Sequence, residues 1–314
     1  MSEKYKVFVD GKNGTTGLKI FDRLEKRDDI EIIKISEDKR KDINERLHLI
    51  NTSDVSFLCL PDDASKEICV LADKNAKIID TSTAHRVNPD WAYGFSELGD
   101  DFKEKIKTSN RVAVPGCHAT GFISIANPLV KLKIADADYP FSCHSVTGYS
   151  GGGKKMINAY EDENRPEEYK SPRQYAVTLM HKHLKEMTKI SGICFPPVFN
   201  PIVSDFYSGM VVTVPLVNRL LNIKSGEKIC EMLKEFYEDK PLIKVHSYNE
   251  MTPDGFVASN TLSGKDNLEI FVYGHSEQTI IISRFDNLGK GSSGAAVQCM
   301  NIMLGTNETK GLVY

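Results

Sequence analysis

The chain of 314 residues contains no apolar run near the ~18 residues that a membrane-spanning helix requires. Neither charge is in surplus: 40 basic and 43 acidic residues are well mixed and leave a formal net charge of −3. That excludes the basic stripe of a nucleic-acid binder and argues against docking on an anionic membrane. The seven cysteines, at 59, 69, 117, 143, 194, 230 and 299, form no CxxC pair, so neither a disulfide framework nor a structural zinc site is expected. No internal repeat or low-complexity tract interrupts the chain. No secretory leader is expected either, because MSEKYKVFVDG runs straight into a strand-like segment, and a reducing cytoplasm is the natural setting.

What remains is an ordinary globular composition, 40% hydrophobic and 26% charged, with length for about two domains. In the first 120 residues short β-rich runs alternate with helical segments. Strands are expected at Lys6–Asp10, Ile30–Ile35, Val55–Leu60, Lys77–Asp80 and Arg111–Val114. Helices are expected at Thr16–Lys26, with Leu18, Phe21 and Leu24 on one face, and at Lys41–Asn51 and Ala64–Lys74. That alternation predicts a doubly wound parallel α/β sheet.

The second half reads differently. Strand-like runs at Phe141–Thr147, Met210–Leu216, Leu242–Ser247, Asn267–Tyr273 and Gln278–Phe285 are separated by longer intervals, as in an α+β domain with a mostly antiparallel sheet. The stretch SSGAAVQCMNIMLG is small, apolar and helical in period, and is expected to return to the first domain. Residues 160–174, YEDENRPEEYKSPRQ, read as a surface loop.

Two features carry chemistry. The first is 10-DGKNGTTGLKI-20, a glycine turn between strand and helix. Such a turn admits a pyrophosphate to the helix N-terminus, which makes Gly11, Asn13, Gly14, Thr15, Thr16 and Gly17 candidate cofactor residues. The spacing is GxxGxxG rather than GxGxxG, so a plain βα turn is the competing reading. After the second strand, 35-ISEDKRKD-42 offers Ser36, Lys39 and Arg40 to a 2′-phosphate, which favours NADP, although Glu37 and Asp38 also fit a solvated charge run.

The second feature is 110-NRVAVPGCHATGFIS-124, where Cys117 follows a Pro-Gly turn at the start of a helical stretch. Helix N-termini favour thiolate, so Cys117 is a candidate nucleophile. Downstream, 180-MHKHLKEM-187 places His183 and Glu186 on one helical face, with His181 two residues earlier. His181, His183 and Glu186 suit acid–base work better than metal binding, and no metal is expected. A thiol, a proton shuttle and a nicotinamide cofactor together point to hydride exchange with a thioester or thiohemiacetal.

The segments 7-VFVDGKNGTTGLKI-20, 80-DTSTAHRVNPDWAYGFSEL-98, 114-VPGCHATGF-122, 148-GYSGGGK-154, 181-HKHLKE-186 and 284-RFDNLGKGSSGAAVQ-298 carry a resemblance. Together they resemble the short-form N-acetyl-γ-glutamyl-phosphate reductase family of the semialdehyde dehydrogenase superfamily. Ser96 and Lys185 depart from the family pattern, which more often has proline there. The resemblance implies a Rossmann-type NADP-binding domain at 1–117, completed by 286–314, and a catalytic and oligomerisation domain at 118–285. It implies reduction of N-acetyl-γ-glutamyl phosphate to N-acetylglutamate 5-semialdehyde and phosphate, a step of arginine biosynthesis. Cys117 would attack the acyl carbonyl, His181 or His183 would move protons, and Glu186 would orient the imidazole or meet the acetamido end.

Arg86 would recognise an anionic group of the substrate, Ser150, Gly151 and Gly152 would line its site, and Asn287 would face the cofactor. His85, His118 and His275, and the cysteines other than Cys117, are expected to be structural. The implied partners are the small-molecule substrate and further copies of the chain, as a homodimer or homotetramer. Two other readings stay open: an enzyme of the aspartate-semialdehyde dehydrogenase kind, and a non-catalytic NADP-binding sensor.

Overall fold

The computed structural model describes residues 4–314, which divide into two compact units: the described residues up to Pro115 with Ser292–Leu312, and Gly116–Gly291 with Val313–Tyr314. The first unit is built on six strands, β1 (Tyr5–Asp10), β2 (Ile30–Ile33), β3 (Val55–Leu58), β4 (Ile78–Asp80), β5 (Ala92–Tyr93) and β6 (Arg111–Ala113). All pair in parallel, in the order β2-β1-β3-β4-β6-β5. Side chains alternate across the sheet, so Val7, Phe57 and Ile79 enter one buried cluster while Phe8, Leu58 and Ile78 enter the other. A strand buried on both faces needs no polar side, which is why these runs read as continuous apolar segments.

Helices α1 (Thr15–Leu24), α2 (Ile43–Thr52), α3 (Asp62–Leu71) and α4 (Asp100–Thr108) cover the two faces. The face expected of α1 was one step out of phase. Gly17, Ile20 and Leu24 are buried, whereas Leu18 is half exposed and Phe21 lies beneath the ammonium groups of Lys12 and Lys34. Helix α4 went unnoticed in the sequence because its single buried residue, Ile106, leaves almost no apolar period.

The second unit begins with α5 (Cys117–Lys131), followed by α6 (Gly153–Glu161), α7 (Leu184–Ser191) and α8 (Gly226–Tyr237). Its seven strands are β7 (Ser142–Gly148), β8 (Arg173–Gln174), β9 (Val198–Ser204), β10 (Met210–Val217), β11 (Ile243–Val245), β12 (Leu268–Gly274) and β13 (Gln278–Phe285). They form one mixed sheet, β11-β12-β13-β10-β7-β9-β8, antiparallel in its centre and parallel at β7/β9 and β11/β12. Strand β9 carries Pro201, which argues against a strand in sequence, and it was missed. Helix α5 lies on β10 and β13, and the Tyr237 hydroxyl of α8 donates to the Ser124 carbonyl of α5 at 2.7 Å. The last helix, α9 (Gly294–Met303), rejoins the first unit, where it packs on α4, α1 and β4.

Candidate active site

Cys117 is the first residue of α5. Pro115 cannot continue the β6 ladder, and Gly116 takes an extended N-cap conformation (φ −75°, ψ 147°) with no side chain to satisfy the first turn. A carboxylate from elsewhere does part of that work: Gly116 N–H donates to Glu186 Oε2 of α7 at 3.1 Å. The Thr120 N–H closes the first helical turn on the Gly116 carbonyl at 2.8 Å. The thiol therefore sits where amide N–H groups and the helix dipole favour its anion. Behind it lies Gly291, where an added Cβ would stand 2.9 Å from Cys117 Cβ. That glycine of the 289–294 turn is required by close packing against the thiol-bearing residue.

Three imidazoles gather in the same unit. The ring centroids of His181 and His183 are 4.6 Å apart, and His118 stands 5.5 Å and 5.7 Å from them. The HxH spacing converges because the segment before α7 is not helical: the His183 N–H donates to His181 Nδ1 at 3.1 Å. That bond makes Nδ1 the acceptor and leaves the proton of a neutral His181 on Nε2. His118 is hydrogen-bonded through Nδ1 to Ser145 Oγ at 2.6 Å and through Nε2 to the Tyr175 hydroxyl at 2.5 Å. Burial, and then the neighbouring His181, push its pKa down to about 3. Burial also raises Tyr175, with the negative charge of Cys117 adding to the effect. Among the described residues no group of three or more His, Cys, Asp or Glu side chains is arranged to hold a metal ion.

In the first unit, the glycine turn borders a cleft of about 610 Å³. Gly11 adopts φ +83°, and a Cβ there would fall 2.3 Å from the Cys59 carbonyl oxygen. At Gly17 a Cβ would fall 2.4 Å from the Gly11 carbonyl oxygen. The N-terminus of α1 has no side-chain cap and no acidic residue in its first turn, and the buried Thr15 Oγ1 has no hydrogen-bond partner among the described residues. An uncapped helix end with an orphaned hydroxyl fits a bound pyrophosphate. Thr16 Oγ1 is instead bonded to Ser292 Oγ at 3.1 Å.

Asn13 and Arg40 line the cleft; Ser36 and Lys39 do not, and Lys39 pairs with Glu45 at 3.2 Å. The cleft adds Lys12, Lys41 and Arg46, which sequence reasoning did not name. Arg46 holds Asp10, at the end of β1, through contacts of 2.8 and 2.7 Å, while burial raises the carboxyl's pKa.

Comparison with known proteins agrees with this division of labour. Residues 6–108 match the semialdehyde dehydrogenase NAD binding domain, and residues 117–287 match the semialdehyde dehydrogenase dimerisation domain. The N-acetyl-gamma-glutamyl-phosphate reductase of Trichormus variabilis is 41% identical over 320 residues, covering 98% of this chain and 99% of that protein. That of Brucella ovis is 43% identical over 309 residues, covering 96% and 99%. The chain belongs to the N-acetyl-gamma-glutamyl-phosphate reductase family.

Among solved structures, aspartate semialdehyde dehydrogenase II of Vibrio cholerae, complexed with ASA, aligns with a TM-score of 0.68 at 15% identity, covering 97% of this chain and 99% of its own. The Francisella tularensis aspartate semialdehyde dehydrogenase gives 0.70 at 14% identity, covering 96% and 100%. At that identity the likeness is one of fold.

The remaining residues singled out within the reductase family pattern are held by their own neighbours. Arg86, of the first unit, is buried; its Nε donates to the Val114 carbonyl at 2.8 Å and its Nη2 to the Thr81 carbonyl at 3.1 Å. It braces the strand end that leads into the Pro-Gly turn. Asn287 donates to Ser150 Oγ at 3.0 Å and accepts from the Gly209 N–H at 2.8 Å, so it ties two turns of the second unit together. Gly151 packs next to the Asn287 amide, and Gly152 lies against Met156. Ser96, at one family departure, is buried and accepts from Gln298 Nε2 at 3.1 Å. His85 is bonded to Asp80 at 2.7 Å and stacks on Trp91. Of the histidines set aside as structural, His118 is the exception in location, since it stands among His181, His183 and Tyr175. No periodicity or motif marks Tyr175 or Ser145; tertiary folding alone brings them to His118.

Proposed function

We propose that the chain catalyses the NADPH-dependent reduction of N-acetyl-γ-glutamyl phosphate to N-acetylglutamate 5-semialdehyde and phosphate. The observation that carries this reading is Cys117 at the first position of a buried helix, with Glu186 bonded to the preceding residue and an imidazole cluster in the same unit. Family membership supplies the substrate.

The Cys117 thiolate attacks the acyl carbonyl, the carbon–oxygen bond to phosphate breaks, and a thioester remains on sulfur. NADPH, when bound, supplies the hydride that reduces this thioester. The resulting thiohemiacetal collapses, returning the electron pair to sulfur and releasing the aldehyde. His181 is the better acid–base residue of the pair, because its Nδ1 is held as an acceptor and its Nε2 carries the mobile proton. Glu186 fixes the turn that aims the thiol. Gly11, Asn13, Gly14, Thr15 and Gly17 receive the pyrophosphate, and Lys12 and Lys41 are the cleft cations offered to a 2′-phosphate, while Arg40 is paired with Glu37 and Arg46 with Asp10. Ser150, Gly151 and Gly152 form one wall for the substrate. The dimerisation domain supports a homodimer or homotetramer, and seven cysteines without a disulfide support a cytoplasmic setting.

The test is phosphate-dependent reduction of NADP⁺, with N-acetylglutamate semialdehyde set against aspartate semialdehyde. Preference for the acetylated substrate is expected; preference for aspartate semialdehyde overturns the assignment. A thioacyl adduct on Cys117, trapped with acyl phosphate in the absence of NADPH and seen by mass spectrometry, would establish the covalent route.

A further inference from the structure

Ser145, His118 and Tyr175 form a chain whose proton order is fixed by hydrogen-bond accounting. Ser145 is wholly buried on β7, and among the described residues its hydroxyl has one partner, His118 Nδ1. The Tyr175 hydroxyl likewise has one, His118 Nε2. A neutral imidazole donates through one nitrogen and accepts through the other. Burial keeps His118 neutral, so two orders exist. If Tyr175 donated to Nε2, then Nδ1–H would donate to Ser145 and the buried serine proton would have no acceptor. If Ser145 donates to Nδ1, then Nε2–H donates to the tyrosine oxygen, the donors of the wholly buried Ser145 and of His118 are both used, and the one proton left over is that of Tyr175, which is only part-buried. A buried donor without an acceptor is the costlier arrangement, which selects the second order.

We infer that Ser145 and His118 are positioning residues that turn the Tyr175 hydroxyl proton toward the reacting sulfur of Cys117. His118 follows Cys117 directly on α5, the Tyr175 and His118 rings lie 6.0 Å apart within the histidine cluster, and the Cys117 and Tyr175 side chains are near enough for the charge of one to act on the other. A tyrosine proton offered there stabilises the thiolate before attack and the returning thiolate when the aldehyde leaves. Phe199 packs against both His118 and His181, so the imidazole of His118 has little room to swing away from this chain. Other titratable groups on the surrounding elements are His181, His183 and Glu186 near α7, and Asp286 and Lys290 beside Gly291.

This inference rests on Cys117 being the nucleophile, and its test separates the two. The rate of Cys117 alkylation by iodoacetamide is followed against pH, peptide by peptide, in full-length protein without substrate or cofactor. Tyr175→Phe is expected to raise the alkylation midpoint by roughly 0.5–1 pH unit, because the thiolate loses a donor. Ser145→Ala is expected to move it less, in the same direction, as His118 becomes free to take the tyrosine proton. Ser145→Thr, which keeps the hydroxyl, is expected to restore the wild-type midpoint. Unchanged midpoints in Tyr175→Phe and Ser145→Ala, with native melting temperatures, would overturn the inference. A fall in melting temperature alone for Ser145→Ala would reduce Ser145 to packing and also overturn it. Absence of Cys117 alkylation in the wild-type protein would instead strike the nucleophile assignment itself.

Discussion

Two helix N-termini, one in each unit, use the same device in opposite settings. Helix α1 starts at a glycine N-cap, has three buried residues, and borders a cleft. Its end has neither a side-chain cap nor an acidic residue in its first turn, and among the described residues the Thr15 hydroxyl beside it has no hydrogen-bond partner. Helix α5 also starts at a glycine N-cap, but is buried from His118 to Leu129, and the N–H of its cap is already bonded to Glu186. One end suits a ligand that brings negative charge; the other has built a residue into its first position and closed the turn around it. The lesson is that a glycine before a helix does not by itself identify what the helix end binds. The neighbours of the first turn decide.

The largest effect expected is at α5. Cys117→Ser should lower turnover by roughly 10³-fold or more while the NADPH dissociation constant, measured by fluorescence titration, stays near the wild-type value. If cofactor binding fell in parallel, the two helix ends would not be the separate instruments described above. Next comes α1. Gly17→Ala forces a Cβ to 2.4 Å from the Gly11 carbonyl, and should cost about 1–3 kcal/mol by urea denaturation and weaken NADPH binding. An unchanged protein would show that the turn has slack.

Glu186→Ala removes the acceptor of the Gly116 N–H and should cost about 1–2 kcal/mol, with turnover falling and NADPH binding intact. The smallest effect is a pH dependence of the second unit. His246 lies 2.9 Å from Glu250 and 3.4 Å from Glu269, and those carboxylates raise its pKa. In return Glu250 and Glu269 are lowered to about 2. The histidine's contribution is complete below its unfolded value of about 6.5 and disappears as pH rises through the raised native value. That of the glutamates is complete above about 4.5 and disappears as pH falls toward 2. Denaturation of His246→Gln should therefore differ most from wild type between about pH 4.5 and 6.5, and converge with it at higher pH. Equal differences across the range would mean that His246 matters by shape alone.

Much of the fold was legible because strands buried on both faces announce themselves as apolar runs, and Val7, Phe8 and Val9 do so without a gap. Helix α1 shows the limit. Leu18 and Phe21 are apolar at helical spacing, yet the ammonium groups of Lys12 and Lys34 lie over Phe21 and the buried stripe runs through Gly17 instead. Pro201 hid β9, which tolerates it beside the two-residue strand β8. At the site, His183 and Glu186 were paired by their spacing, whereas His181 joins His183 only because the segment before α7 is not helical. The place of Cys117 at a helix start was readable from Pro-Gly and the stretch that follows. His118, Ser145 and Tyr175 were not, since residues 27 and 57 positions from His118 meet it only through the sheet and its loops.

The boundary between Pro115 and Gly116 has an evolutionary and practical consequence. Cys117, the three clustered imidazoles, Glu186 and Tyr175 all fall on one side of it, within the stretch Gly116–Gly291. A single crossover at that dipeptide would also carry Ser292–Leu312, which belong to the first unit, so an exchange that keeps each unit whole needs a second junction between Gly291 and Ser292. Chimeras joined at both points would exchange Cys117 and its neighbours while leaving the glycine turn and its cleft in place.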